Sequence, residues 1–284
     1  MKRLLAISAI LTCFLIQSKA QTPDDSTAFY NAEWQVKKLG KGAEAVTVHT
    51  EMFGSPQHVT FIRYPMKRFR TEILHRPGKK AGKTSALASE AGARFAINGG
   101  YFNGKHEPIS FFRTDEGVHC DSTYARGEKR INGALCISRN GKKILIKECH
   151  ISEHDSSTKK YGSVITCGPL LMDEGKISHL RDSVQSFVFK RHPRTVFGYD
   201  DKGYAYMIVI DGRHKGQAAG ATIPEAAFIA RILGLEAALN LDGGGSSALW
   251  SDATGVLNYP CDNGRWDHYG QRGRPTFFLV QYDK

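Results

Sequence analysis

No apolar run in the 284-residue chain reaches the roughly 20 residues that a membrane-spanning helix needs. The longest candidate, Leu4 to Ile16, follows Lys2 and Arg3 and ends at Ser18-Lys19-Ala20, the pattern of a removed export signal. An exported chain, periplasmic or extracellular and without a transmembrane segment, is therefore expected. A surface lipoprotein is less favoured, because Ile10-Leu11-Thr12 puts no small residue before Cys13. Cysteine is sparse: the chain holds six and no C-x-x-C pair, which argues against a structural zinc site. Cys120, Cys136, Cys149, Cys167 and Cys261 outlast the signal, an odd number that cannot pair completely. Also missing are fixed-period repeats, low-complexity blocks, proline-rich linkers and any helix-turn-helix, zinc-finger or RNA-binding signature. A nucleic-acid partner is thus not expected. Acids are the minority charge, 28 against 39 basic residues. The signal carries Lys2, Arg3 and Lys19 but no acid, so a mature charge of +8 remains, and it favours anionic partners.

What is present is mostly β-type. Short runs rich in β-branched and aromatic residues occur at residues 45–49, 58–64, 143–147, 163–167, 204–210 and 276–282. The run from Tyr204 to Ile210 is apolar on both alternations and predicts a central strand covered on each face. Thr222-Ile223-Pro224-Glu225 has capping-box spacing, and Ala226, Ile229, Ala230 and Leu233 then recur at helical period up to Gly234. A shorter helix is expected from Thr84, as its N-cap, to Ala91. These elements predict an α+β class: a single domain with a curved mixed β-sheet core and a few packed helices. Residues 1–20 read as the signal, 21–57 as a polar lead-in with the first strand, and 58–284 as the domain proper.

Four segments can carry chemistry. In Asn240-Leu241-Asp242-Gly243-Gly244-Gly245-Ser246-Ser247, apolar strands flank a carboxylate and three glycines. Such a path either turns amides toward an anion or simply makes a hairpin turn. It lacks the lysine of a nucleotide-binding P-loop. Ile210-Asp211-Gly212-Arg213 is a second apolar strand that runs into a carboxylate, a glycine and a cation. In Asn98-Gly99-Gly100-Tyr101-Phe102, Asn98 can hold a turn with positive φ, hydrogen-bond a sugar hydroxyl, or do both. In His192-Pro193-Arg194-Thr195, Arg194 can grip a phosphate and His192 can move a proton, although either can be an ordinary surface residue. Cys167 reads better as a small buried apolar residue than as a nucleophile.

In this order, and together with Cys167-Gly168-Pro169-Leu170-Leu171 and Arg274-Pro275, these motifs resemble the phosphodiester glycosidase family, from about Phe61 to Val280. The resemblance implies an α+β fold, an extracytoplasmic setting and hydrolysis of an α-linked sugar 1-phosphodiester, with a phosphate-linked carbohydrate as partner. It implies that Asn98, Arg194, Asp211, Arg213, Asn240 and Asp242 face the site. The expected assignment makes Asp211 and Asp242 catalytic. Asn98, Gly99, Gly100, His192, Arg194, Arg213, Asn240, Gly243, Gly244, Gly245, Ser246 and Arg274 then contact substrate. Phosphate is already a good leaving group, so cationic clamps and one carboxylate suffice and no cofactor is required. Two alternatives stay open. One is a phosphodiesterase in which Asp211 and Asp242 hold calcium or magnesium; the other is a secreted glycan-binding protein without turnover.

Overall fold

The computed structural model describes residues 22–122, 130–149, 156–179 and 185–283; the expected export signal and Cys13 lie outside them. Among the described residues, eighteen strands form three sheets. An eight-stranded sheet runs β1 (Trp34–Gly40), β2 (Ala43–Met52), β3 (Ser55–Pro65), β14 (Tyr204–Ile210), β13 (Arg194–Asp200), β15 (Leu235–Asn240), β11 (Leu170–Asp173), β12 (Lys176–Ile177). A five-stranded sheet runs β17 (Gly255–Val256), β16 (Leu249–Ser251), β5 (Phe95–Asn98), β18 (Thr276–Tyr282), β4 (Phe69–His75). The third runs β7 (Gly117–Cys120), β6 (Phe112–Thr114), β10 (Ser163–Cys167), β8 (Gly133–Ile137), β9 (Ile144–Glu148). Helices α1 (Pro23–Asn31), α2 (Thr84–Glu90), α3 (Gln185–Phe189) and α4 (Ile223–Ile232) complete an α+β domain. The strands divide among three sheets, and the pairings within them are antiparallel.

Alternation along β14 explains the layering. Ala205, Met207 and Val209 enter a core shared with both five-stranded sheets, beside Phe95, Phe112 and Phe278. Tyr206, Ile208 and Ile210 enter a second core against Phe29 of α1 and Phe228 and Ile229 of α4. The central sheet is therefore covered on both faces, and each buried phenylalanine contributes about 1.5–3 kcal/mol. Helix α4 starts as its capping box predicts: Thr222 caps the Glu225 amide and the Glu225 carboxylate returns to the Thr222 amide. Arg191 locks the same carboxylate from outside at 2.6 Å. Helix α2 differs from expectation. Lys83 holds its cap position without a side-chain bond, and Thr84 is the first helical residue, its buried hydroxyl without a hydrogen-bond partner.

Within residues 22–57, β1, β2 and the start of β3 belong to the main sheet, and α1 precedes them. Strand β1 pairs with β2 along its length, yet most of its side chains are exposed, because it is an edge strand. That exposure accounts for its polar composition.

Register places the site. Strand β13 lies between β14 and β15 and runs antiparallel to both, so its first residue lies beside their last ones. Arg194 pairs with Ile210, and Val196 with Asn240. Arg194, the Asp211-Gly212-Arg213 segment and Asp242 thus leave the sheet at one end. Asn98, the last residue of β5, joins them from the second sheet.

Candidate active site

Asp242 leads the glycine segment and is held through both its backbone and its carboxylate. The Asn98 amide donates to the Asp242 carbonyl at 2.7 Å, and the Asp242 amide donates to the Gly99 carbonyl at 3.1 Å. The Ser246 hydroxyl donates a close hydrogen bond to Oδ2 of Asp242. Burial pushes the Asp242 carboxyl up to about 6, against the opposing pull of Ser246, Arg274 and Arg272. Desolvation is the larger effect, so the group titrates within the range useful to a general base.

Asn98 is spent on structure. Besides that donation, its Oδ1 accepts from the Thr195 hydroxyl at 3.0 Å and from the Ala248 amide at 3.1 Å. It clamps β5, β13 and the Asp242 loop and does not hold a positive-φ turn. Gly99 and Gly100 are needed for packing: an added Cβ would meet Thr276 Oγ1 at 2.5 Å and Ile165 Cδ1 at 2.7 Å respectively.

The triple glycine forms a 3-10 turn over Gly244–Ser246, and its amides mostly bond within the protein. The Gly244 amide donates to the Pro193 carbonyl, Ser246 to Gly243 and Ser247 to Gly244. The three glycines matter instead for what lies on them. At Gly244, φ is +63°, and an added Cβ would lie 3.0 Å from Nη2 of Arg213. Gly245 lies under Arg272 in the same way, and Gly243 against the Pro193 carbonyl. Arg213 itself has φ of +66°, which costs a non-glycine residue about 1 kcal/mol. Its guanidinium donates to Nδ1 of His192 at 3.2 Å. Burial and the neighbouring Arg194, Arg213 and Lys190 hold His192 down at about 4, so it is an uncharged acceptor near neutral pH.

Two further arginines are buried. Arg194 donates to the carbonyls of Ala221, Phe187 and Lys190, and burial lowers it to about 10, still charged at pH 7. Arg274 is 1% exposed and rests on the Phe102 ring at 4.8 Å. Its Nη1 donates to the Gly273 carbonyl, but Nε and Nη2 are buried without a hydrogen-bond partner. Burial lowers it to about 10, partly offset by Asp242. Unbonded buried donors on a charged group are costly, and an anionic ligand would satisfy them.

Tyr101, Arg130 and Arg272 are participants for which the sequence offered no role in binding charge. The Tyr101 hydroxyl donates to the Gly168 carbonyl at 2.7 Å and accepts from the Asn240 amide at 3.1 Å. Burial above all, with Asp242 adding to it, raises its hydroxyl well above the ordinary range, and Arg194 and Arg130 oppose that shift. Arg130 and Arg194 both pack on the Phe187 ring, at 4.5 and 5.0 Å. Arg272 pairs with Asp262 and acts on Asp242. Asn240 Oδ1 is a buried acceptor without a donor. The Cys167 thiol is pushed up to about 12 by burial, which makes it a poor nucleophile.

Asp211 belongs to a different cluster. It is 1% exposed, and its Oδ2 bonds Nδ1 of His58 at 2.9 Å. Asn258 donates to Oδ1 at 2.9 Å, and the Tyr259 amide reaches both oxygens at 3.1 Å. Asn258 also donates to the Ser247 carbonyl, which ties this cluster to the far end of the glycine segment. The two acids are therefore linked through the backbone and sit in separate hydrogen-bond sets. Among the described residues, no group of three or more His, Cys, Asp and Glu is arranged to hold a metal ion.

Solved structures share the architecture. The catalytic domain of zebrafish N-acetylglucosamine-1-phosphodiester alpha-N-acetylglucosaminidase, auto-inhibited by its pro-peptide, superposes with a TM-score of 0.65 at 18% identity, covering 88% of each chain. A protein from Synechocystis gives 0.66 at 14% identity over 88% of this chain and 64% of its own. A protein described as exported from Burkholderia pseudomallei gives 0.57 at 14% identity, over 80% and 74%. At these identities the likeness is one of fold. No curated protein matches the chain in sequence. The phosphodiester glycosidase family matches residues 91–280, which hold β5, β13 to β16 and every arginine described around Asp242, and the chain belongs to that family.

Proposed function

We propose that the protein is an exported hydrolase that releases a sugar of the N-acetylglucosamine type from a sugar 1-phosphodiester in a glycan. The observation that carries this reading is the charge arrangement around Asp242. One carboxylate, raised to about 6, is electrostatically coupled to Arg272 and Arg274, and buried Arg274 keeps two donors unbonded. Arg213 lies on the glycine turn that follows, and Arg194 and Arg130 act on Tyr101 beside it. A phosphodiester supplies the anion that such a surplus of guanidinium groups requires.

In the proposed reaction, Asp242 as carboxylate takes a proton from water while the water oxygen forms a bond to the anomeric carbon. The bond from that carbon to the phosphate oxygen breaks, and its electron pair leaves with the phosphate monoester. Arg274 and Arg213 hold the departing charge, which replaces the acid catalyst that an alkoxide leaving group needs. Asn240, through its unbonded Oδ1, accepts a hydrogen bond from the sugar. Asp211 acts as a positioning residue for the 258–259 segment and the end of the glycine turn. No metal or organic cofactor enters this route.

Support for export comes from the N-terminal pattern and from the relative described as exported. Among the described residues, no helix is long and apolar enough to cross a membrane. A timed assay on an N-acetylglucosamine-1-phosphodiester tests the activity: free sugar should accumulate with the wild-type chain and not with Asp242→Asn. Saturable binding of the diester with no release of sugar by the wild type would overturn the enzymatic reading and leave a glycan-binding protein.

A further inference from the structure

A cavity of about 600 Å³ opens beside the Asp211 cluster, between β1, β2 and β3 and the segment from Thr254 to His268. Its size is that of a small-molecule site. His58 and Tyr259 line it, and both bond Asp211, so the buried acid supports the cavity from behind. Trp266 stacks on Tyr259 with ring centroids 3.8 Å apart and planes 4° from parallel, and His268 lies against Tyr259 at 4.4 Å, tilted by 31°. His58 meets both Tyr259 and Trp266 edge-on, at 5.1 and 5.3 Å. The rings are thus fixed by one another before any ligand arrives.

The hydrogen-bonding character of the lining is equally defined. His58 turns Nδ1 to the Asp211 carboxylate, and His268 turns Nδ1 to the Asn258 carbonyl at 2.7 Å. An imidazole nitrogen facing such an acceptor carries a hydrogen, which leaves Nε2 of each ring for a ligand, as acceptor in the neutral ring and as donor in the protonated one. Gln35 and Gln217 add amides that both donate and accept, and Glu33 adds a carboxylate. No lysine or arginine is among the described residues that line the cavity. A site with this make-up does not suit phosphate, in contrast to the arginine-rich surroundings of Asp242. It suits a neutral ring that carries many hydroxyls on its rim and an apolar face for the aromatic stack.

We propose that this cavity is a second carbohydrate-binding site, for an uncharged sugar unit, separate from the Asp242 site. The proposal does not depend on the reaction assigned to Asp242. A glycan substrate held here by a neutral unit would gain effective concentration at the charged site, because the 258–262 segment borders both.

Saturation-transfer NMR on the full chain, with N-acetylglucosamine, mannose and maltose as probes and choline as a cationic control, tests it. At least one sugar should bind saturably. Gln217→Ala, a change at an exposed side chain, should weaken that binding about fivefold, the cost of one neutral hydrogen bond. Trp266→Ala should abolish it, and Arg274→Met should leave it unchanged. The proposal falls if no sugar saturates, or if Gln217→Ala binds like the wild type. It falls equally if Arg274→Met removes the binding, or if choline displaces the sugars and shows Glu33 and the rings to form a cation box.

Discussion

Replacing Arg274 by methionine separates a ligand-binding guanidinium from a structural one. The side chain is almost wholly buried, packs on Phe102 and uses only Nη1 within the protein. A structural arginine at such depth would have its donors satisfied, and its loss would destabilise the fold. Here Nε and Nη2 are unbonded, a penalty of about 1–3 kcal/mol that methionine removes while it keeps the contact with the ring. The variant should therefore melt at or above the wild-type temperature in the absence of ligand. Toward the diester, two charge-assisted hydrogen bonds at about 1.5–3 kcal/mol each would be lost, or about 3–6 kcal/mol together. That corresponds to a fall of roughly 10² to 10⁴ in kcat/KM. Steady-state kinetics and a thermal melt on the same preparation make the comparison. A variant that unfolds early, or one that keeps kcat/KM within a few-fold of the wild type, would refute the reasoning.

Other outcomes follow from the same geometry. The Asp242 carboxyl is raised to about 6 and serves as a base, so log kcat/KM should be level above that pH and fall about one unit per pH unit below it. An enzyme whose rate instead rose as the pH dropped through 6 would make Asp242 an acid. Burial raises the Asp242 carboxyl in the fold, so its charged form costs stability as pH rises from about 4 to about 6. Asp242→Asn should accordingly be inactive yet at least as stable at pH 7 as the wild type, read by thermal melting. Asp211→Ala strands the bonds from His58, Asn258 and Tyr259, so it should lose about 3–5 kcal/mol in a denaturant titration, and activity with it. Chelation with EDTA should leave the hydrolysis rate unchanged, and a loss restored by calcium or magnesium would contradict the metal-free route.

The parts legible in the sequence were those fixed by local pattern. Strands β14 and β18 fall on the residues that their composition marks, and the Thr222–Glu225 box starts α4 where expected. The ordered motifs also identified the family. Strand β1 was hidden because an edge strand with exposed side chains has no apolar alternation to read. The roles around the site depended on long-range partners. Asp211 and Asp242 look alike in sequence, each an acid at the end of an apolar strand. One meets His58, 153 positions away, and is locked, whereas the other sits under a serine among arginines. Arg130 and Arg272 carry no motif, so only the packing of Phe187 and the Gly245 turn shows what they do.

Hydrolysis of the N-acetylglucosamine-1-phosphodiester in ¹⁸O-labelled water decides which bond the site breaks. Attack at the anomeric carbon puts the label in the released sugar and none in the phosphate monoester, the result that Asp242 and the arginine clamps require. Label in the phosphate would mean cleavage of the P–O bond and would contradict the account.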